Sequence, residues 1–473
     1  MVFSSAIFLF FFLPVVLLLY YVLPKSWRNG ILLAASLLFY SWGEPVFITI
    51  LLASITLDFF IAKKMGSSES CQSKKWLVLS LFINLVLLAF FKYANFFIDN
   101  VQHLYQLFGL EPFSWHKVAL PIGISFVTFQ KISYMVDVFR GNHEPQRRWD
   151  HLALYILMFP QLIAGPIIRY KEIADQLADR SYNETTENKF NGLFRFFIGL
   201  SKKVMIANVL AQQVDIIFAT ASSDLSTGTA WIGMIAYTLQ IYFDFSGYSD
   251  MALGLGQMFG FRFPENFNFP YISRSFTEFW RRWHITLGNW MKDYLYIPLG
   301  GNRINQRRTL LNLIIVFILS GLWHGAAWTF VVWGLYHGLF LVLDKIGLQR
   351  LLTKSGKIPA TILTFLFVMI GWVIFRADSL PYAFNYIARL FTFTTCNDFV
   401  LFDTRFNVIL LFALIAAFLG FFPSVEKIAN SLFDRSRTNL QWTLSSILIL
   451  ALYILNGSAL LAGGLNPFIY FRF

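Results

Sequence analysis

Long apolar runs separated by short polar loops are the most regular feature of the sequence. They include the runs 6–23, 76–97 and 310–343. An α-helix needs about 20 consecutive apolar residues to cross a bilayer, so the pattern predicts an all-α polytopic membrane protein. The first run lacks a preceding basic region and a following small-residue cleavage site, so we expect a retained span and not a cleaved signal.

Proline and glycine interrupt several of these runs. Gly43-Glu44-Pro45 divides one long apolar stretch and predicts a hairpin turn between two spans. The segments 120–125 and 159–166 place the same residue types inside other spans. At membrane depth a broken helix requires protein or a water-filled cavity to satisfy its freed backbone groups. These breaks therefore predict an internal chamber, which suits a transporter as well as an enzyme.

Basic residues in the loops predict the topology. Lysine and arginine concentrate in the loops 25–28, 63–75, 140–148 and 427–437. Such residues favour the cytoplasmic side, so we expect both chain termini outside and an even number of crossings, about twelve. The polar segment 169–189 interrupts this regularity, and the helix after it carries Arg195, Lys202 and Lys203. That helix is predicted to be interfacial or partly buried, and a further span is predicted over about residues 230–259.

Composition agrees with the apolar pattern. Hydrophobic residues make up 57% of the 473 residues and charged residues 14%, whereas soluble domains carry about 25% charged residues. The net charge of +12 follows from the basic loops, so we expect no nucleic-acid partner. Cys71 and Cys396 are the only cysteines, which excludes a disulfide framework and a CxxC motif and argues against redox chemistry.

A histidine inside an apolar run gives the strongest chemical signal. His324 lies in Ser320-Gly-Leu-Trp-His-Gly-Ala-Ala-Trp328, within a helix predicted to run from Leu310. An ionisable residue at membrane depth is costly and marks a site or a path by default. Imidazole also takes a proton from a hydroxyl or thiol near neutral pH. The alternative is a core histidine bonded to a carbonyl, and the cost of burial favours the catalytic interpretation.

A second histidine in the same run, His337, is predicted to be structural. It follows His324 by 13 residues, which is about 220° around a continuous helix. The two histidines therefore would not share a face or form an i, i+4 metal pair, and the sequence contains no HExxH motif. No metal site is expected.

The segment 261–308 contains a basic cluster that no apolar helix explains. It holds eight Lys or Arg and three acidic residues. Such a segment suits a polyanionic ligand such as coenzyme A, with arginines on the phosphates and tryptophans on adenine. The alternative is an amphipathic helix on anionic lipid headgroups, and His284 within the cluster favours a site. The candidate donor-binding residues are Trp280, Arg281, Arg282, Trp283, Lys292 and Arg303.

Two carboxylates lie in the predicted span before this cluster. Asp244 and Asp250 belong to Tyr-Phe-Asp-Phe-Ser-Gly-Tyr-Ser-Asp, and we expect them to pair with buried arginines or to line a polar cavity, the pairing being favoured. Gly254-Leu-Gly256 follows without a preceding strand and lacks the nucleotide-binding spacing. We expect these glycines to serve helix packing.

Several motifs together resemble one family. They are Asp244–Asp250, Pro264-Glu-Asn-Phe-Asn268, Glu278-Phe-Trp-Arg-Arg-Trp-His284, Leu299-Gly-Gly-Asn-Arg303 and Ser320–Gly325. In this order, and with the similarity covering almost the whole chain, they resemble the membrane-bound O-acyltransferase (MBOAT) family, in its branch of bacterial alginate O-acetylation subunits.

This resemblance implies a ring of about 11 to 13 transmembrane helices around a central tunnel, with re-entrant and interfacial helices. It implies catalysis by His324 beside His284, and acetyl-CoA as the cytoplasmic donor. The implied acceptor is an extracytoplasmic polysaccharide, alginate or a similar polymer. The implied location is the bacterial inner membrane, among lipids, with a periplasmic SGNH-type acetyltransferase as partner, because this chain has no Gly-Asp-Ser motif.

The end of the chain carries a further resemblance. Phe468-Ile-Tyr470-Phe-Arg-Phe473 resembles the FxYxxF ending of a small partner peptide in the related D-alanylation system. The resemblance implies that Tyr470 carries the acyl group after His324 takes its phenolic proton. The alternative is an aromatic residue of the interfacial belt.

The sequence predicts one membrane domain over residues 1–473. Within it we distinguish N-terminal spans (1–168), a partly amphipathic region (169–308), the helices of the catalytic histidine (309–345) and C-terminal spans with the tail (346–473). Peptidoglycan or lipopolysaccharide O-acetylation is an alternative with the same mechanism. A glycan transporter or export channel and a non-catalytic scaffold are alternatives outside the enzyme class.

Overall fold

The computed structural model describes residues 1–67, 69–163, 165–393, 403–422, 438–462 and 468. All regular elements in these ranges are helical. The α-helices are α1 Leu13–Val22, α2 Arg28–Ser41, α3 Phe47–Gly66, α4 Ser70–Leu107, α5 Ile124–Phe139, α6 Trp149–Leu157, α7 Phe159–Leu162, α8 Tyr170–Ala178, α9 Thr186–Ser201, α10 Asn208–Ala219, α11 Thr227–Met258, α12 Phe276–Arg282, α13 Ile285–Met291, α14 Gln306–His324, α15 Trp328–Leu343, α16 Gln349–Lys354, α17 Lys357–Arg376, α18 Leu380–Arg389, α19 Thr404–Phe418 and α20 Asn439–Ala462.

Short π-helical and 3-10 segments extend or join these helices. The π segments are Phe8–Phe12, Lys202–Ala207, Lys292–Tyr296 and Asp344–Leu348, and the 3-10 segments are Lys25–Trp27, Ser181–Asn183, Pro270–Ile272 and Leu419–Phe421. By length and composition, five helical segments of the described chain are apolar enough to cross a membrane: Ser70–Leu107, Trp328–Lys354, Lys357–Arg376, Thr404–Phe421 and Asn439–Ala462. The predicted all-α polytopic architecture is confirmed, and the number of crossings stays a prediction.

The predicted breaks in the apolar runs are present. Helix α2 ends at Ser41 and α3 begins at Phe47, on either side of the predicted hairpin turn. Gly123 precedes α5 with a φ of +78°, a left-handed conformation that favours glycine. A Cβ there would also lie 2.9 Å from the carbonyl oxygen of Leu162. The break therefore depends on the absence of a side chain.

One predicted helix is wrong. The run 310–343 was expected to be continuous through His324, but α14 ends at His324 and α15 begins at Trp328. Gly325 has an extended backbone, and a Cβ on it would collide with the Phe330 ring. The run 310–343 contains no proline and no Asp, Glu, Lys or Arg, so the apolar pattern gave no boundary at this junction.

The described chain divides into two compact units. The first comprises Met1–Glu184 with Gly260–Phe263, and the second comprises Thr185–Phe259 with Pro264–Phe473. In the first unit, α3, α4 and α5 enclose a charged pair, since Lys131 Nζ lies 3.2 Å from Asp58 Oδ2 and both side chains are buried. Ser80 and Asn84 also donate to Asp58. These hydrogen bonds and the ion pair are required because an unpaired charge in an apolar interior costs free energy.

In the second unit, α11 packs against α9 through glycines. Gly192 lies opposite Gly254, and Gly199 lies opposite Gly247, so the two antiparallel contacts repeat every seven residues. A Cβ on Gly254 would lie 2.5 Å from the carbonyl oxygen of Gly192. The predicted packing role of Gly254 is confirmed. Small residues at such contacts let helix backbones approach closely, which supplies van der Waals attraction in a lipid environment.

We expect Gly199→Ala to lower the free energy of unfolding by about 1–3 kcal/mol, because overpacking forces closely packed elements apart. The new Cβ would lie 2.5 Å from the carbonyl oxygen of Gly247, a backbone atom that cannot rotate away. Thermal unfolding of the purified protein in detergent measures the loss. Gly228→Ala is the control, since the nearest atom to its Cβ, Ser226 Oγ, is 3.8 Å away. Equal melting temperatures for the two variants would contradict the packing role of Gly199.

Candidate active site

His324 ends α14 in an aromatic environment of the second unit. Its ring lies 4.9 Å from the Trp323 ring, 5.1 Å from Trp333 and 5.4 Å from Phe375, measured between centroids. The side chain is buried. The Gly325–Ala327 junction places this histidine at the turn between α14 and α15 and not in the middle of a helix. A side chain at such a turn is set by the packing of both helices.

His337 lies on α15, next to the aromatic surroundings of His324. Trp333 contacts both histidine rings, at 5.1 Å for His324 and 4.9 Å for His337. The predicted angular separation assumed one continuous helix and therefore does not apply. His337 is fully buried, and neither ring nitrogen has a hydrogen-bond partner among the described residues. Trp280 packs on it edge-to-face at 5.1 Å. These contacts suit the predicted structural role.

His284 lies between α12 and α13 in a left-handed backbone conformation. Its φ is +46° and its ψ is +52°, values that are rare for a residue with a side chain and that concentrate at functional sites. The two flanking helices have seven residues each, about 10 Å of helix, too short to span a bilayer. Burial lowers the pKa of the His284 imidazole, so the ring is neutral at pH 7.

A short backbone pairing holds His284 in this conformation. Phe267 and Trp283 form an isolated antiparallel bridge. On one side of it the Asn268 N–H donates to the Arg282 carbonyl at 2.9 Å, and on the other the Ile285 N–H donates to the Asn266 carbonyl at 3.0 Å. The histidine is therefore enclosed by two hydrogen bonds to one segment, residues 266–268.

The side chain of Asn266 continues this network. Its Oδ1 lies 2.9 Å from His284 Nδ1 and accepts a hydrogen bond of 2.9 Å from Thr286 Oγ1. Its Nδ2 donates to Ser249 Oγ on α11 at 3.0 Å. The side chains of all four residues are buried. Asn266 belongs to the motif Pro264–Asn268, and an amide in a loop-like segment gives no sequence signal of a contact 18 residues later.

The two candidate catalytic histidines meet the same tryptophan. The Trp323 ring lies 4.9 Å from the His324 ring and 6.1 Å from the His284 ring. Phe245 of α11 packs edge-to-face on His284 at 4.7 Å. The structure therefore brings His284 and His324 into one aromatic cluster, although they are 40 residues apart in sequence.

A cavity of about 480 Å³ opens beside His284 within the second unit, a volume within the usual range of roughly 300–1,000 Å³ for small-molecule sites. It is lined by α12, α13, the π segment after α13, α14, and Leu341 of α15. His284, Ser320 and Trp280 are among its lining residues, and His324 is not. The indole N–H of Trp280 has no acceptor among the described residues. The cavity thus offers an apolar wall with a few polar groups.

The predicted donor-binding residues separate into two groups. Trp280, Arg281 and Lys292 line this cavity. The other three lie outside its lining. Arg282 pairs with Glu278 at 3.0 Å, Trp283 is buried among Phe279, Phe267 and Trp372, and Arg303 is exposed in the loop before α14. Two cations and one indole N–H therefore remain at the cavity for an anionic ligand.

The carboxylates of α11 pair as expected, but with lysines as well as arginine. Asp250 lies 2.9 Å from Arg195 and 2.7 Å from Lys202, while Asp244 lies 2.8 Å from Lys203. The partners occupy α9 and the π segment that follows it, which the sequence predicted to be partly buried. The wider turn of a π segment is common at functional sites, and here it carries both lysines.

Phe468, near the C-terminus, contacts this cluster. Tyr470 lies outside the described residues, but Phe468 is buried, with its ring 4.7 Å from Tyr248 and 5.8 Å from Phe245. Phe245 in turn contacts His284. Tyr470 is the second residue after Phe468, a reach of at most about 7 Å between Cα atoms. Among the described residues no group of three His, Cys, Asp or Glu side chains is arranged to hold a metal ion.

Comparison with known proteins identifies relatives along the whole chain. Residues 100–384 match the model of the membrane-bound O-acyltransferase family, MBOAT. A probable alginate O-acetylase AlgI of Pseudomonas putida is 42% identical and covers 100% of both chains. One from Azotobacter vinelandii is 47% identical over 83% of this chain and 78% of its own. A peptidoglycan O-acetyltransferase of Helicobacter pylori is 39% identical over 81% and 78%.

We expect Lys203→Met and Asp244→Asn each to lower the free energy of unfolding by about 3–5 kcal/mol, because each leaves one buried charge unpaired. The side chains are 3% and 2% exposed in the pair. The double variant Lys203→Met/Asp244→Leu removes both charges and should recover most of the loss. Thermal unfolding in detergent measures all three.

The surface pair Arg147–Glu144, 85% and 79% exposed, provides the control. Arg147→Met should change the free energy of unfolding by less than about 1 kcal/mol. A double variant no more stable than either single variant would contradict the pairing of Lys203 with Asp244.

Proposed function

The chain belongs to the membrane-bound O-acyltransferase family, and on that premise we propose that it transfers acetyl groups from cytoplasmic acetyl-CoA toward an extracytoplasmic polysaccharide. Members of this family are acyltransferases, and the helices described above make this one a multi-pass membrane protein. The single observation that carries the proposal is the cavity beside His284, with Arg281 and Lys292 among its lining residues. It combines a proton-transfer group with cations that suit the phosphates of coenzyme A.

The proposed reaction moves one acetyl group and one proton. A hydroxyl oxygen attacks the thioester carbonyl, a C–O bond forms, and the C–S bond breaks. The hydroxyl proton ends on the sulfur of coenzyme A, and we assign its transfer to the pair His284 and His324. Trp280, Arg281 and Lys292 hold the donor, with the indole N–H and the two cations on its polar groups. No metal takes part in this scheme.

The acceptor side is proposed from the tail and from the relatives. Tyr470 accepts the acetyl group and passes it to a periplasmic SGNH-type acetyltransferase, which acetylates the polymer. The buried position of Phe468 beside Tyr248 supports a tail that reaches the site. The inner membrane is the proposed location, with both chain termini on the periplasmic side. The named relatives support alginate or a similar polymer, and the Helicobacter pylori relative supports peptidoglycan as the alternative.

We expect His284→Ala and His324→Ala each to reduce acetyl transfer by a factor on the order of 10²–10⁴, the usual contribution of a proton-transfer group. Release of free coenzyme A from acetyl-CoA by the protein in proteoliposomes, followed with a thiol reagent, measures the rate. Both variants should keep the thermal stabilisation by coenzyme A, because the cationic lining is unchanged. His103→Ala is the control, since His103 is exposed on α4.

Two results would reject this function. Wild-type protein that is not stabilised by coenzyme A would favour the non-catalytic scaffold. Stabilisation without any thiol release, with polymer export that both histidine variants retain, would favour the transporter. Purified alginate and peptidoglycan fragments, each supplied with the periplasmic acetyltransferase, distinguish the two proposed acceptors by which becomes acetylated.

We expect Tyr470 to carry acetyl during turnover, because its phenol is the hydroxyl that the tail brings to the thioester. Rapid acid quenching after mixing with acetyl-CoA, followed by peptide mass spectrometry, should find a 42 Da addition on Tyr470, the mass of an acetyl group replacing hydrogen. Tyr470→Phe should abolish transfer to the polymer.

The matched control is Tyr182→Phe, at a tyrosine that is 62% exposed in the first unit. It should leave both the modification and the transfer unchanged. Full activity of Tyr470→Phe would reject the relay while leaving direct transfer to the acceptor intact.

A further inference from the structure

We infer that Asn266 is a positioning residue that fixes His284 in one tautomer, with its hydrogen on Nδ1 and an unprotonated Nε2. The inference rests on the proposed acyl transfer and assigns the proton-accepting atom in it. The hydrogen-bond donors and acceptors around the Asn266 amide support this tautomer.

The orientation of the Asn266 amide follows from Thr286. A backbone N–H can only donate, and the Thr286 N–H lies 3.4 Å from the same amide atom that Thr286 Oγ1 meets at 2.9 Å. That atom must therefore be the oxygen, because an NH₂ group would face the N–H with a second donor. The nitrogen then faces Ser249 Oγ at 3.0 Å, where a hydroxyl can accept. Two neighbours thus fix an orientation that the amide shape alone leaves ambiguous.

The tautomer of His284 follows from this orientation. Asn266 Oδ1 only accepts, and it lies 2.9 Å from His284 Nδ1, so Nδ1 carries the hydrogen. In a neutral imidazole the other nitrogen then has a free lone pair. His284 Nε2 is buried and has no hydrogen-bond partner among the described residues. Nε2 is therefore the ring nitrogen that Asn266 leaves available, on a residue that lines the cavity.

Asn266 also fixes the backbone that presents this ring. Its carbonyl accepts the Ile285 N–H at 3.0 Å, immediately after the left-handed His284. One residue therefore holds both the ring and the main chain of the histidine. Phe245 packs edge-to-face with the ring at 4.7 Å. A ring held on two sides keeps its acceptor nitrogen within a narrow range of positions, as proton transfer requires.

The chemical consequence is a proton acceptor on His284 within the proposed pair with His324. As the C–O bond forms, the proton of the attacking hydroxyl moves to this pair, to which His284 contributes the lone pair of Nε2. The pair gives that proton to the sulfur as the C–S bond breaks, so the products are the ester and the free thiol of coenzyme A and both rings return to their neutral state. If Nε2 carried the hydrogen at the start, His284 could not accept a proton at that atom.

The experiment compares Asn266→Ala with Asn266→Asp in the full-length protein in proteoliposomes. Asn266→Ala frees the tautomer and should lower kcat for acetyl transfer on the order of 10²-fold, with KM for acetyl-CoA changed less than about threefold. Asn266→Asp keeps an acceptor for Nδ1 and should recover at least tenfold of that loss. Asn268→Ala is the control, because the Asn268 side chain is exposed and only its backbone joins the pairing.

The aspartate variant also predicts a pH shift. A carboxylate beside His284 favours the imidazolium and raises the pKa of that ring. Since the neutral ring is the active form, the acidic limb of the kcat profile should move to higher pH. The charged groups on the elements around His284 are the same in the wild-type and Asn266→Asp proteins, so they do not account for a difference between the two pH profiles of kcat. They are Asp244 and Asp250 on α11, Glu265 beside Asn266, Glu278, Arg281 and Arg282 on α12, Lys292 and Asp293 after α13, and Arg307, Arg308 and the titratable His324 on α14.

A second measurement does not require activity. In wild-type protein labelled with ¹⁵N-histidine, the His284 signals, identified by their loss in His284→Gln, should show hydrogen on Nδ1 at pH 7. Hydrogen on Nε2 would overturn the inference, even if Asn266→Ala failed to fold. So would wild-type kcat and pH profile in a folded Asn266→Ala variant. Wild-type protein without any acetyl transfer would reject the proposed function, while the ¹⁵N spectrum would still test the tautomer.

Discussion

The pairing between residues 266–268 and 282–285 is the constraint on which the candidate site depends. Two backbone hydrogen bonds and the Phe267–Trp283 bridge hold His284 in a left-handed conformation that it would not adopt alone. That conformation separates α12 from α13 and lets the histidine ring reach both Asn266 and the cavity. Without the pairing α12 and α13 would not be held in one orientation relative to each other, because seven-residue helices are only marginally stable by themselves.

The support for this pairing comes from α11. Ser249 meets the Asn266 amide, and Phe245 meets the His284 ring, so one helix carries two of the contacts that position the histidine. Glycine contacts with α9 and the Lys203–Asp244 pair in turn fix α11. The position of the His284 ring is thus fixed by the packing of α11 against α9, which lies outside the cavity lining. In lipid such packing must rely on close backbone approach and satisfied charges, since burial of apolar surface offers little gain there.

Sequence reasoning recovered the features that are local in the chain. Apolar runs predicted the spans, the Gly43–Pro45 and Gly123 breaks were located, and Gly254 was assigned to packing. It failed at the α14–α15 junction because no proline or charged residue marks a break there. The contact of Asn266 with His284 was also missed, since pairing between distant segments leaves no periodic signal. The pairing of Asp244 with Lys203 was half anticipated: the sequence favoured an ion pair but named arginine as its partner.

The buried position of Phe468 determines how the proposed acyl carrier, Tyr470, would meet the site. A carrier on a separate peptide must find the site by diffusion, at whatever concentration the cell maintains. A carrier two residues beyond a buried anchor is present at an effective concentration on the order of millimolar or more, set by tether length alone. Turnover would then be independent of carrier abundance, and each molecule would have its own acceptor in fixed one-to-one stoichiometry.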